Sequence, residues 1–121
     1  MSGPGEPQVF VKHDAKKAPT DLLPPLALLK VSEVLGFGLV KYARHNWVKC
    51  PSRDRYVAAA IRHLLQYQAG EDVDTDSGLP HLAHAACDVL FALEMVLRGW
   101  GADERMPRTV APAATSEGGR P

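Results

Sequence analysis

The chain has 121 residues, enough for one domain around one hydrophobic core and too few for two. Its 14 Lys and Arg balance 14 Asp and Glu, so no net field exists to grip a DNA or RNA backbone. No apolar run approaches the ~20 residues that cross a bilayer, and Cys50 and Cys87 lack C-x-x-C spacing, so they read as reduced thiols of a cytoplasmic protein with no membrane partner.

Taken in chain order, residues 1–9 are rich in Gly and Pro and predict a flexible leader. Pro24 and Pro25 then suit a helix start, because a missing N–H costs nothing in the first turn. The first helix is expected from Leu26 to Ala43, apolar nearly all round, weakened at Gly36 and Gly38, which allow a bend. A second is expected from Asp54 to Ala69, with Gly70 as its stop. A third starts at Pro80, ends near Arg98 and is followed by Gly99. The polar segment between them, Gly70 to Gly78, is a loop. Residues 101–121 are Ala, Pro, Gly, Thr and charge, and predict a disordered tail. No stretch alternates as a strand does. The expectation is an all-α bundle of three main helices within residues 10–100, with faces apolar enough to form a homo-oligomer, a dimer or larger.

The chemistry concentrates on the third helix. His81, His84 and Asp88 stand at i, i+3 and i+7 and share a face. Further on, that stripe becomes Phe91, Ala92 and Met95, so the solvent side is expected at Ala83, Glu94 and Arg98. Unpaired imidazoles at the edge of a buried face are costly and need partners. On the second helix Tyr56, Ala60, His63 and Tyr67 share a face, and an antiparallel hairpin would bring His63 to His84 and Asp88. The three then read either as a divalent metal site, for Mn, Co, Fe or Zn rather than Mg, or as hydrogen-bonded interior histidines. In the loop, Asp72, Asp74 and Asp76 alternate like the start of a calcium loop, but Ser77 and Ala83 occupy the positions that need Gly and Glu. Glu71 and Asp72 can complete the metal cluster, orient a water, or simply face solvent; Asp74 is expected outside the cluster. A basic and aromatic set, Lys12, Lys16, Lys17, Lys41, Arg44, Asn46 and Trp47, suits phosphates and a base, although a Trp such as Trp47 is more often core than a base platform. Glu33 is a weaker site candidate whose plain alternative is a surface partner of Lys30.

Several short blocks, in order, carry a family resemblance: Lys12-His13-Asp14-Ala15-Lys16, Leu22-Leu23-Pro24-Pro25, Phe37-Gly38 with Lys41-Tyr42, Asn46-Trp47, Arg62-His63-Leu64, Ala69-Gly70-Glu71-Asp72, and Ser77 to Ala86. Across Lys12 to Gly99 the chain resembles the N-terminal domain of phage-type dATP/dGTP diphosphohydrolases, relatives of the MazG-like all-α nucleoside triphosphate pyrophosphohydrolases. The resemblance implies cleavage of a purine deoxynucleoside triphosphate to monophosphate and pyrophosphate, with sequestration of a nucleotide as the alternative. MazG-like enzymes carry Glu-Glu-x-x-Glu and Glu-Glu-x-x-Asp motifs that hold Mg²⁺ or Mn²⁺. Here those motifs fall on Ala59 to His63 and on His84 to Asp88, so His63, His84 and Asp88 survive as metal-facing positions while Ala59, Ala60 and Ala85 replace carboxylates. The resemblance further implies Glu71 and Asp72 as catalytic groups. It implies nucleotide contacts from Lys12, Asp14, Lys16, Lys41, Arg44, Asn46, Trp47, Arg62 and His81.

Overall fold

A computed structural model of the protein describes residues 8–108. Most of the expected leader and the expected tail beyond Arg108 lie outside the described residues. Three helices form the body: α1 (Pro25–Lys41), α2 (Asp54–Gln68) and α3 (His81–Arg98), with short 3-10 turns at Thr20–Leu22 and Asn46–Lys49 and no strand among the described residues. The helix starts and stops follow local chemistry. Pro25 occupies the first turn of α1, and the helix runs unbroken through Gly36 and Gly38. α3 ends at Gly99, whose left-handed backbone (φ 72°) lets the N–H groups of Gly99 and Trp100 return to the carbonyls of the last turn.

α2 and α3 form an antiparallel hairpin. His63, late in α2, lies against His81 and His84 at the start of α3, while Tyr56, early in α2, lies against Phe91 farther down α3. α1 packs on α3 as well, so α3 is the central helix. The core joins Val31 and Val34 of α1 to Ala83 and Cys87 of α3, with Leu79 and Phe91 closing over it. Ala60, Ala83, Ala85 and Ala92 are all buried, which lets the helices approach closely. Ala83 was expected on the solvent side of α3. Its burial reflects α1, which packs against the face that a two-helix reading leaves open.

The fold continues past the expected boundary at Trp100. The Arg53 guanidinium donates to the Trp100 carbonyl, the Arg53 N–H donates to the Ala102 carbonyl while the Ala102 N–H donates to that of Pro51, and the Glu104 N–H donates to the Asp54 carboxylate. Gly101 makes this return. Its φ is +76°, and a Cβ there would sit 2.6 Å from the methyl carbon of fully buried Met95. Beneath it Trp47 stacks on Phe91 with centroids 4.9 Å apart, and Tyr56 meets the same ring edge-on.

Candidate functional site

The polar site forms at the other end of the hairpin, where the loop between α2 and α3 turns back. Gly70 adopts φ 104°, and the Glu71 N–H returns to the Gln66 carbonyl, which brings Glu71 against the start of α3. Asp74 then organises the loop. Its carboxylate accepts the N–H groups of Asp76 and Ser77 at 2.8 and 3.1 Å, while its backbone pairs with Leu79 and Gly78. The His81 N–H donates to the Asp72 carbonyl, locking the loop to the first residue of α3.

His81 is the fully buried polar group at this junction. Its Nε2 donates to the Glu71 carboxylate at 2.6 Å, and its Nδ1 lies 2.9 Å from Nδ1 of His63. A carboxylate partner places a proton on Nε2, and in that tautomer Nδ1 offers a lone pair toward His63. Asp74 Oδ2 completes the group at 3.9 Å from His63 Nδ1. His63, Asp74 and His81 offer three ligand atoms within 4.8 Å of one another. His84 lies alongside: its ring stacks on His63 at 4.6 Å, and its Nε2 is held by the Ser77 hydroxyl at 2.6 Å.

The protonation states suit a cation. Burial, reinforced by the His84 ring, lowers the His63 pKa below the usual imidazole value, and burial lowers that of His84 as well. Burial alone would raise Asp74, but the Ser77 and Asp76 N–H groups outweigh it and hold the carboxyl below its ordinary range. Near neutral pH His63 and His84 are therefore neutral rings beside an ionised Asp74 carboxylate.

The convergent trio differs from the one expected. His63 is common to both, but Asp74 and His81 stand where His84 and Asp88 were placed. Helix rise explains the change: Asp88 lies about 10 Å along the α3 axis from His81, at 1.5 Å per residue. Its burial raises its pKa to about 6, with Arg62 of α2 the opposing charge. The loop supplies the nearer carboxylate. Asp74 had a visible signal, the Asp-x-Asp-x-Asp alternation, but its turn chemistry resembles that of any solvated loop.

The remaining candidates are dispersed. Lys41 sits on the rim, bonded to Asp76 at 2.7 Å and 4.8 Å above the Phe37 ring, whose edge faces His84. Arg62 and Asp72 are exposed next in sequence to cluster or loop residues, and Arg44 and Asn46 are exposed before and within the second 3-10 turn. Trp47, half-buried, stacks on Phe91 at the far end of the hairpin and not beside the cluster. Lys12 and Asp14 line a concavity of about 510 Å³ made only by residues 12–21, with no cluster residue in its wall; Lys16 is exposed on the same segment. Glu33 pairs with Lys30 at 3.1 Å on the surface of α1.

Fold and site together define an all-α protein whose helical hairpin carries an imidazole and carboxylate cluster at one end. The chain belongs to the family described as dATP/dGTP diphosphohydrolase, N-terminal, whose sequence model matches residues 9–105. It is also similar to the "dATP/dGTP diphosphohydrolase" of Salmonella phage PMBT28, at 32% identity over 109 residues. That match covers 90% of this chain and 37% of the phage protein, so the chain spans little more than a third of its relative. No solved structure matches it.

Proposed function

We propose that the protein hydrolyses a purine deoxynucleoside triphosphate, dATP or dGTP, to the monophosphate and pyrophosphate with the help of a divalent ion. The observation that carries this reading is the convergence of the His63 and His81 imidazoles with the Asp74 carboxylate, in a loop that Lys41 touches through Asp76, in a member of this family. Water adds to the α-phosphorus, the bond from that phosphorus to the α–β bridging oxygen breaks, and pyrophosphate leaves. A bound divalent ion neutralises phosphate charge and makes a bound water more acidic. Lys41 exchanges Asp76 for a phosphate oxygen, and Arg62 adds a second positive charge at the mouth. Asp72, exposed and tethered through its carbonyl to His81, accepts the attacking water's proton.

A second reading, a nucleotide-sequestering module, draws on Ala60 and Ala85. Both are buried where the resemblance implies metal-binding carboxylates, so the cluster retains fewer acidic ligands. Chromatography of dATP or dGTP incubated with the protein and Mn²⁺ separates the two. Monophosphate and pyrophosphate in equal amounts support hydrolysis, whereas tight binding with intact triphosphate supports sequestration.

We further propose that a second copy of the chain covers the apolar groove on the other side of α3. Leu28 and Val31 of α1, Leu64 of α2, and Leu82, Val89 and Leu90 of α3 line it, with no charged residue in its wall. Leu93, Val96 and Leu97 extend α3 as a half-exposed to exposed apolar ridge, 49%, 52% and 74% accessible. Groove and ridge on one chain are the ingredients of a self-complementary interface.

A further inference from the structure

Glu71 was expected to act on water or on an ion directly, yet its bonded partner is the buried His81. The pair forms a chain of contacts: the half-exposed Glu71 carboxylate, then His81 Nε2, then His81 Nδ1, then His63 Nδ1 with Asp74 Oδ2 nearby. A hydrogen bond between the two Nδ1 atoms needs a proton on one of them. Alternatively both lone pairs bind one cation. Two imidazole nitrogens bound at about 2.0–2.1 Å lie about 2.9–3.4 Å apart for ordinary bond angles, and the observed 2.9 Å falls at the short end of that span. Asp74 Oδ2, at 3.9 Å, needs only a small side-chain adjustment to join them. The donor set of two nitrogens and one oxygen suits Mn²⁺, Co²⁺, Fe²⁺ or Zn²⁺ better than oxygen-seeking Mg²⁺.

We infer that His63 Nδ1, His81 Nδ1 and Asp74 Oδ2 form the divalent-cation site, and that Glu71 is a positioning residue that holds His81 with Nδ1 turned inward. This deepens the hydrolase reading and rests on it only for the purpose of the ion; the ligand set stands on its own geometry. A ligating histidine commonly donates its other ring N–H to a carboxylate, and removing that partner typically weakens metal binding 10–100-fold. His84 is excluded as a ligand through Nε2, which Ser77 occupies, and acts as a wall that fixes the His63 ring plane by stacking.

The test is titration of the full chain with Co²⁺ alone, reading the visible d–d absorption band and the stoichiometry, with circular dichroism to verify folding of each variant. The parent should bind one Co²⁺ per chain. Asp74→Ala and His63→Ala should each weaken binding at least 100-fold. Glu71→Gln should weaken it 10–100-fold while leaving one site and the same band shape. Asp88→Asn should bind as the parent does. His81→Ala removes a buried ring, so its result counts only if it folds; Asp74 and Glu71, nearer the surface, keep the test decisive. Unchanged binding in Asp74→Ala with loss in Asp88→Asn would overturn the assignment, and unchanged affinity in Glu71→Gln would overturn the positioning role. These outcomes are separable from failure of the hydrolase reading, which is intact triphosphate in the presence of a properly loaded Co²⁺ site.

Discussion

The two ends of the α2–α3 hairpin are held by different physics. At one end Trp47, Tyr56 and Phe91 share ring contacts, and backbone hydrogen bonds tie residues 100–104 to the start of α2. At the other end the helices meet through His63, His81 and His84, steadied by Glu71, Asp74 and Ser77. Aromatic burial stabilises without needing a partner. Each buried imidazole, by contrast, requires a hydrogen bond or an ion to offset its desolvation. The aromatic end supplies fold stability, which leaves the imidazole end free of that demand. This is the division expected when a site is placed on a rigid scaffold.

The independence of the two ends is tested most sharply at Phe91. Phe91→Ala removes the ring on which Trp47 and Tyr56 pack, and should cost about 3 kcal/mol of stability. Co²⁺ affinity at the far end should change less than twofold, since distant sites act nearly independently. Urea unfolding and the Co²⁺ titration measure the two effects separately. A parallel loss of metal affinity would mean that the ends are mechanically coupled.

A smaller effect, with a definite sign, is expected at Asp88, between the two ends. Burial raises its pKa to about 6, against an unfolded value near 3.9. The charges and titrating groups around it are Arg62 and Tyr56 of α2 and its neighbour Cys87. Between those two values the folded chain binds more protons than the unfolded one. The stabilisation is therefore fully present below about pH 4 and is lost as pH rises through about 6. Asp88→Asn removes that dependence. It should be up to about 2 kcal/mol more stable than the parent at pH 7 and no different at pH 4, allowing for partial solvent access. Urea melts at the two pH values check it, and a destabilised variant at pH 7 would show that Arg62 and Asp88 act as a favourable ion pair.

The smallest effect on either end is expected from Leu28→Lys, in the groove between them. The charge should halve the mass measured by sedimentation equilibrium by separating two copies. Monomer stability should change by no more than about 0.5 kcal/mol, because the side chain is already 38% exposed. An unchanged mass would show that the groove is not where copies meet.

Much of the fold was legible because its signals are local. Pro24-Pro25, the Gly70 and Gly99 stops and the helical periodicity depend on neighbours a few residues apart, and the three helices lie within two residues of their expected bounds. The antiparallel hairpin and the position of His63 against the start of α3 were legible too, since a short connection and face periodicity constrain both. The family also followed from sequence, through motifs spread along the chain. What only the tertiary structure decided is which side chains meet. Helix periodicity ranks His81, His84 and Asp88 as equals on one face, but axial rise separates Asp88 from His81, while the Asp74 turn brings a loop carboxylate to His63. The same holds for Trp47 and Ala83: sequence states their size and polarity, but only the neighbouring rings and α1 decide that Trp47 is half-covered against Phe91 and Ala83 is buried. Local periodicity fixes direction around a helix axis; distance between segments far apart in the chain is set by packing, and the cluster at this site depends on distance.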